Sequence, residues 1–217
     1  MVTRGVQESR SLVRLTAYTD GVVAIALTLL VLPLVDTARD AQTESVRDLV
    51  REHAGDFAAF VMSFAVVSLF WMVHRRVFDN LVDVGEGIML LNSMWLLGVV
   101  FLPVPTAVLT YEVNQGRGAT LLYMVNLVFI ALSGLLLSLR IRDRVPLQRP
   151  GRSEAVDRAV RRGVIATSAM VATLVAALFL ANLALPLLAL MPLMQAAAER
   201  RAHRHHHPAA ATDRRKG

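Results

Sequence analysis

The side chains with the clearest potential for chemistry stand at the start of a long apolar stretch. Tyr18, Thr19 and Asp20 precede fifteen residues, from Gly21 to Val35, that carry no charge. The stretch is long enough to cross a bilayer. A carboxylate that faces lipid at the membrane centre costs about 2.5–3.5 kcal/mol, and less near the interface. We therefore expect Asp20 to face protein or water, and the span that carries it to do more than anchor the chain.

One side of this span forms a regular stripe. Gly21, Ile25, Thr28, Leu29 and Leu32 fall at helical spacing on one face, and Thr28 is the only hydroxyl among them. Such a stripe is typical of a face packed in a core. It equally suits a pore lining, in which apolar rings form a constriction flanked by a ring of hydroxyls, because hydrophobic constrictions can gate ion passage.

Further polar groups occur in the next two apolar blocks. Trp71 and His74, which precede two arginines, are typical of an interfacial girdle. His74 and Asn92 are nevertheless predicted to lie at the same membrane side as Asp20. Because polar groups buried in lipid need partners, these depths also allow a polar network that links three spans.

The composition indicates which elements must position these residues. The chain has 217 residues, of which 55% are hydrophobic, and its mean hydropathy is +0.50. Soluble domains are nearer 45–50% apolar, and here the excess is gathered in blocks, which indicates a polytopic, all-α membrane protein. The absence of cysteine excludes disulfides and thiol chemistry. The net charge of +6 lies in connecting segments, which favours a role in topology and no nucleic-acid partner.

Six membrane spans can be drawn. One apolar block of 36 residues near the end would be about 54 Å long as a single helix, so it is divided at Asn182 and Pro186 into two spans. The predicted spans are residues 15–35, about 57–73, about 87–109, 120–139, 163–180 and about 183–198.

The basic residues predict the orientation. With six spans and an inner N-terminus, 19 of the 23 Lys and Arg residues lie in inner segments. This bias predicts a multi-pass protein of the cell membrane with both termini in the cytoplasm. The Arg-rich segment 140–162 is predicted to be a surface connector that touches anionic lipid headgroups.

Two smaller features complete the organisation. Ser45 and Asp48 resemble a capping box at the start of a short helix, which Gly55 could follow. Residues 1–198 are expected to form the membrane domain, and residues 199–217 a disordered basic cytoplasmic tail. The histidines at 203–207 could bind a metal, although a solvated basic tail is the simpler interpretation.

Several motifs together resemble one family. Arg14, Tyr18, Thr19 and Asp20 resemble the R-x-x-x-F-S-D signature of the transmembrane protein 175 family of non-classical potassium channels, with Tyr and Thr in place of Phe and Ser. The resemblance continues through residues 24–32, Trp71, His74, Leu91, Asn92 and residues 101–106. Together these motifs cover about the first 110 residues. Beyond them only the plan of six spans agrees with the family.

The resemblance implies a specific architecture and pore. Prokaryotic members are homotetramers of six-span subunits, and the first helix of each subunit lines a central pore. By position, Ile25 would form the narrowest ring, and Leu29 and Leu32 would form further apolar layers. Thr28 would match the hydroxyl ring associated with potassium preference. Potassium would be the preferred permeant ion, with no bound cofactor or metal.

The resemblance also implies a polar network that fixes the first helix. In this chain Thr replaces the family's Ser in the signature and keeps its hydroxyl. Tyr replaces Phe and adds a phenol that must find water or a partner. The residues implied in the network are Arg14, Tyr18, Thr19, Asp20, Trp71, His74 and Asn92.

Three functions remain open on the sequence. The leading hypothesis is a potassium channel and not an enzyme. The second is a proton-coupled transporter or proton-leak pathway in which Asp20 and His74 titrate, although Pro33 and Pro103 stand near the outer ends of their spans and not at the midplane. The third is a membrane enzyme or assembly factor, which lacks support because neither H-E-x-x-H nor G-x-S-x-G occurs.

Overall fold

The computed structural model describes residues 9–40, 45–111 and 117–179, and these are almost entirely helical. A single 3₁₀ turn, Val145–Leu147, joins the last two helices of this described part. The helices are α1 (Arg10–Leu29), α2 (Leu32–Asp40), α3 (Val46–Glu52), α4 (Ala54–Phe78), α5 (Glu86–Phe101), α6 (Pro103–Tyr111), α7 (Arg117–Arg142) and α8 (Ser153–Phe179).

Five helical stretches within the described residues are long and apolar enough to cross a membrane. They confirm the first five predicted spans in order, and the chain is a multi-pass membrane protein. The sixth predicted span, the tail at 199–217 and its histidines lie outside the described residues. The five stretches are Arg10–Arg39, Ala54–Phe78, Glu86–Leu109, Gly118–Arg142 and Ser153–Ala176.

Prolines divide the first and third of these stretches into two helices each. Pro33 has no N–H to donate to the carbonyl of Leu29, and α1 ends at that residue. Pro103 likewise cannot donate to Val99, and the N–H of Leu102 bonds that carbonyl instead at 3.2 Å. Each break thus falls on the residues just before the proline.

The core is built around α7. This helix packs against both α5 and α8, while α1 packs against α4 and α5. The approach of α5 to α7 is close, because a Cβ added at Gly98 would lie 2.6 Å from Cγ1 of Ile130. The largest fully buried side chains are Trp95 on α5 and Tyr123 on α7.

The two loops at the N-terminal end of α1 pair with each other. Leu81 and Gln148 form an antiparallel bridge, and the backbone N–H of Arg149 donates to the carbonyl of Asn80 at 2.7 Å. The N–H of Ser9 donates to the carbonyl of Val82 at 2.8 Å, which ties the start of α1 to the same layer. We call this end of the bundle, with residues 79–85 and 143–152, the paired-loop end.

Two sequence predictions about connecting segments need correction. The segment 140–162 is mostly helical, because α7 continues to Arg142 and α8 begins at Ser153, ten residues before the predicted span. Charged residues there form amphipathic helical turns and not a loop. Ser45 caps α3 as predicted, its hydroxyl accepting the N–H of Asp48, but Gly55 lies in the first turn of α4 and does not follow α3 directly.

Candidate functional site

The two sides of α1 differ sharply in exposure. On the side facing α4 and α5, Val23 and Ala26 are each 2% exposed. On the opposite side, Ile25 is 62% exposed, and Leu32, at the start of α2, is 52% exposed. All four residues of the predicted pore stripe, Ile25, Thr28, Leu29 and Leu32, are exposed on the subunit, so this stripe does not pack in the subunit's own core.

Thr28 uses its hydroxyl hydrogen within the helix. Its Oγ1 donates to the carbonyl of Ile25 at 2.7 Å, in an exposed position. Because a hydroxyl also carries two acceptor lone pairs, the oxygen of Thr28 remains able to face water or a cation on the exposed side.

A charge-assisted hydrogen bond joins α1 to α4. The indole Nε1 of Trp71 donates to Oδ1 of Asp20 at 2.8 Å. The guanidinium carbon of Arg75 lies 5.6 Å from the centroid of the Trp71 ring, within reach of a cation–π interaction. The carboxylate near the start of the span is therefore held by protein, as expected from its cost in lipid.

A second hydrogen bond joins α1 to α5. Nδ2 of Asn92 donates to Oγ1 of Thr19 at 2.9 Å, and both residues are buried. Together with the Asp20–Trp71 bond, this contact fixes the rotation of α1 about its own axis. The rotation is what turns Ile25 away from the subunit.

His74 lies beside this network between two aromatic rings. Its imidazole centroid is 4.0 Å from that of Trp95 and 4.6 Å from that of Phe78. Within the described part of the chain, Nε2 of His74 and Oδ1 of Asn92 are buried and lack a hydrogen-bond partner. Buried polar atoms of this kind are few in folded proteins, so the region is polar but incompletely satisfied in one subunit.

The structure therefore assembles most, but not all, of the residues assigned to the network. Thr19, Asp20, Trp71 and Asn92 make direct hydrogen bonds between helices, and His74 stacks on Trp95 beside them. Arg14 and Tyr18 lie on the exposed side of α1 and make no hydrogen bond to these residues. Their membership of the network remains a prediction.

Sequence reasoning missed a second polar cluster further along the bundle. Oγ of Ser63 lies 3.0 Å from Oγ1 of Thr106 and 3.2 Å from the phenol oxygen of Tyr123, and all three residues are buried. Nδ2 of Asn126 donates to the carbonyl of Gly98 at 3.0 Å. The signal available was the few hydroxyls and amides scattered through each apolar block, which predict that partners are needed but not which ones.

Metal ligation finds no support in the described residues, where no three His, Asp or Glu side chains cluster closely enough to hold an ion. The histidines at 203–207 lie outside this part of the chain.

Comparison with known proteins points to one family. Residues 14–103 match the family model described as endosomal/lysosomal potassium channel TMEM175. A protein named as a potassium channel from Streptomyces collinus is 33% identical over 123 residues, which are 55% of this chain and 59% of that one. Another so named, from Chamaesiphon minutus, is 34% identical over 113 residues, 51% of this chain and 56% of the relative. The chain thus spans less than two thirds of the length of either bacterial relative.

More distant relatives and solved structures agree with this match. The human protein named endosomal/lysosomal proton channel TMEM175 is 27% identical over 90 residues, which are 42% of this chain and 18% of that one. The crystal structure of a TMEM175 homologue from Chamaesiphon minutus aligns with a TM-score of 0.73 at 22% identity, covering 88% of this chain and 98% of that one. The potassium channel MtTMEM175 aligns with a TM-score of 0.58 at 18% identity, covering 89% and 96%. These structural likenesses establish the fold.

Proposed function

We propose that the chain is a member of the TMEM175 family, whose model its residues 14–103 match, and that it forms a potassium-preferring channel lined by α1. The matched region contains nearly all of α1 together with Trp71, His74 and Asn92. The observation that carries the proposal is the exposed stripe of α1, in which Ile25 is 62% exposed although the other side of the helix is buried.

The hydrogen bonds of α1 explain why this stripe is suited to line a pore. Thr19 and Asp20 are held by α5 and α4, so the helix cannot rotate its apolar stripe back into the subunit. One subunit supplies only one Ile25 and cannot close a ring around an ion. Rotational symmetry supplies the remaining copies, and closed cyclic assemblies are the common kind. We infer a homotetramer, the number that the family resemblance implies.

Selectivity would arise at the rings and not at a carbonyl filter. A ring of Ile25 side chains forces a permeating cation to shed water, which favours the more weakly hydrated potassium ion over sodium. One turn further along, the Thr28 oxygens would supply acceptors that partly replace the lost water. Ions would move down their gradient without a cofactor, so the activity is transport and not catalysis.

The arginine distribution supports the orientation. The paired-loop end carries Arg144, Arg149 and Arg152. Arg75 and Arg76 stand next to it, in the last turn of α4. We propose that this end faces the cytoplasm of a cell with the channel in its surface membrane, with both termini inside.

A proton pathway through Asp20 and His74 is the second candidate, because vertebrate relatives are named as proton channels. The contacts of this chain do not favour it as a direct relay. Asp20 accepts a hydrogen bond from Trp71, whereas His74 stacks between Phe78 and Trp95. Proton flux is therefore measured separately from potassium flux, as the test of this second candidate.

The test is flux into liposomes that contain the purified protein. Potassium, sodium and proton fluxes are compared for the wild type, Ile25→Asn and the control Ile165→Asn, which makes the same change at a side chain 69% exposed on α8. We expect potassium flux to exceed sodium flux in the wild type. Ile25→Asn should raise relative sodium flux about tenfold, equal to ~1.4 kcal/mol of barrier difference, because it wets the constriction.

The control separates a pore residue from a lipid-facing one. Ile165→Asn should leave the ratio of potassium to sodium flux unchanged. An unchanged ratio in Ile25→Asn, or the same change in both variants, would remove Ile25 from the filter. Proton flux without potassium flux would replace the potassium channel by the second candidate.

A further inference from the structure

A cavity of about 430 Å³ opens at the paired-loop end, and its lining residues belong to α4, α8 and the connecting segments and not to α1. It lies where the end of α4, the turn at residues 149–152 and the first turns of α8 meet. Its most notable feature is its charge, because five guanidinium groups line it. They belong to Arg76, Arg149, Arg152, Arg158 and Arg162.

One face of α8 forms the floor of this cavity. Arg158 and Arg162 are one helical turn apart, and Ala155 and Ala159 lie on the same face between and before them. The alanines leave room that longer side chains would fill. The arginines extend past them and provide the polar rim.

The turn before α8 fixes the other side. Gly151 has a φ of +77°, a left-handed conformation that glycine adopts without steric cost. The turn is anchored at Arg149, whose N–H donates to the carbonyl of Asn80 at 2.7 Å, and it is closed by the N–H of Arg152, which donates to Arg149 at 3.1 Å. Asn80 in turn donates through Nδ2 to the carbonyl of Arg76 at 2.8 Å. Hydrogen bonds thus link the backbone segments that carry Arg76, Arg149 and Arg152.

The cavity has a large excess of positive charge. Asp79 is the only carboxylate that lines it among the described residues. Arg158 has a 3.4 Å contact with Glu154, but both side chains are largely exposed, so this pair holds the guanidinium weakly. Arg76 and Arg149 also interact with other groups of the protein. An anion that bridges Arg152, Arg158 and Arg162 would relieve the repulsion among them.

The position along α8 indicates where the mouth lies relative to the membrane. Directly after Arg162 the helix becomes apolar, and Val164 and Ile165 are 45% and 69% exposed. The cavity therefore sits at the level where an apolar, lipid-exposed surface begins, which is the depth of phospholipid headgroups.

We propose that this arginine pocket binds closely spaced phosphate groups, as carried by a phospholipid headgroup with two phosphates or by a soluble polyphosphate. Guanidinium groups match phosphate oxygens through paired N–H donors, and several of them around one cavity favour more than one phosphate. The proposal concerns binding only and does not depend on conduction through α1.

The experiment measures binding of two probes to the full chain. Cardiolipin is added to phosphatidylcholine nanodiscs that hold the protein, and retained lipid is counted by native mass spectrometry. Inorganic tripolyphosphate is titrated in phosphatidylcholine nanodiscs by calorimetry. Retention of cardiolipin alone identifies a lipid headgroup as the ligand, binding of tripolyphosphate alone identifies a soluble anion, and either result supports the pocket.

Matched variants distinguish the pocket from general positive charge. Arg158→Gln with Arg162→Gln should weaken binding of the bound probe about tenfold or more, because several charge-assisted bonds are lost. Arg144→Gln with Arg161→Gln removes the same charge from exposed arginines outside the cavity and should change binding less than about twofold.

A third variant keeps the charge and changes the space. Ala159→Leu fills the cavity floor without removing an arginine, so it should also weaken binding, whereas a purely electrostatic attraction would not respond. The proposal is overturned if neither probe binds, if both double variants lose binding equally, or if Ala159→Leu in folded protein binds as the wild type does.

Discussion

The two sides of α1 are held by different means, although they belong to one helix of twenty residues. The inner side has apolar packing at Val23 and Ala26 and hydrogen bonds at Thr19 and Asp20, all made within the subunit. The outer side has Ile25 exposed and no packing partner in the described chain. The inner side therefore fixes the orientation of α1 in the subunit. This orientation leaves the outer side free to line the proposed pore.

A polar substitution on each side should separate these roles most strongly. Val23→Asn buries an amide without a partner, which costs about 2–7 kcal/mol and should leave little folded protein. Ile25→Asn, two residues later, should leave the subunit folded. Size-exclusion profiles and thermal unfolding in detergent measure both variants. Equal destabilisation by the two substitutions would contradict the division of α1 into a structural and a functional side.

A smaller effect is expected where the inner side bonds to α4. Trp71→Phe removes the indole donor and leaves the Asp20 carboxylate without its partner, so the free energy of unfolding should fall by about 1–2 kcal/mol. Asp20→Asn keeps an oxygen that can accept from Trp71 and should cost less. The midpoints of thermal unfolding compare the two. If Asp20→Asn proved the more damaging, the carboxylate would have a role beyond this hydrogen bond.

The smallest effect is expected at Asp83 in the paired-loop end, to which the start of α1 is bonded. The Ser9 hydroxyl, and next the N–H of Val84, lower the pKa of the Asp83 carboxyl below its usual value. A carboxyl whose pKa falls on folding stabilises the fold above its unfolded pKa, and this contribution is lost as the pH drops through the folded pKa. The group is fully exposed, so stability should decline only slightly at acidic pH.

An NMR titration of the Asp83 carboxyl checks this contact directly. Ser9→Ala should raise the pKa toward the ordinary value, whereas Ser11→Ala, which alters an exposed hydroxyl two residues later, should not. An unchanged pKa in Ser9→Ala would show that this tie does not form.

Much of the fold could be predicted because membrane spans depend on local apolar length. The five described spans follow from the sequence, and so does the contact of Asp20 with another helix of the protein. The precise helix ends did not follow. Pro33 and Pro103 were recognised near the ends of their spans, but the breaks fall before them, because the carbonyl that loses its partner lies four residues earlier.

Only those residues of the site that belong to the family motifs could be predicted. The pairing of Asn92 with Thr19 agrees with the implied network. The cluster of Ser63, Thr106 and Tyr123 could not be predicted, since each apolar block carries several polar side chains and none of them specifies its partner on another helix. The arginine pocket was missed because a run of charges in segment 140–162 was interpreted as a connector.

The most direct test of a pore lined by α1 is whether the residue-25 side chains of several subunits converge at one place. The chain contains no cysteine, so Ile25→Cys introduces a single thiol per subunit, and Ile165→Cys is the matched control. Cadmium, which binds thiolates strongly when two or more converge, should block the potassium flux of Ile25→Cys at a concentration about tenfold below that needed for the wild type or the control. Unblocked potassium flux through Ile25→Cys, or equal block of Ile165→Cys, would contradict a pore lined by the exposed side of α1.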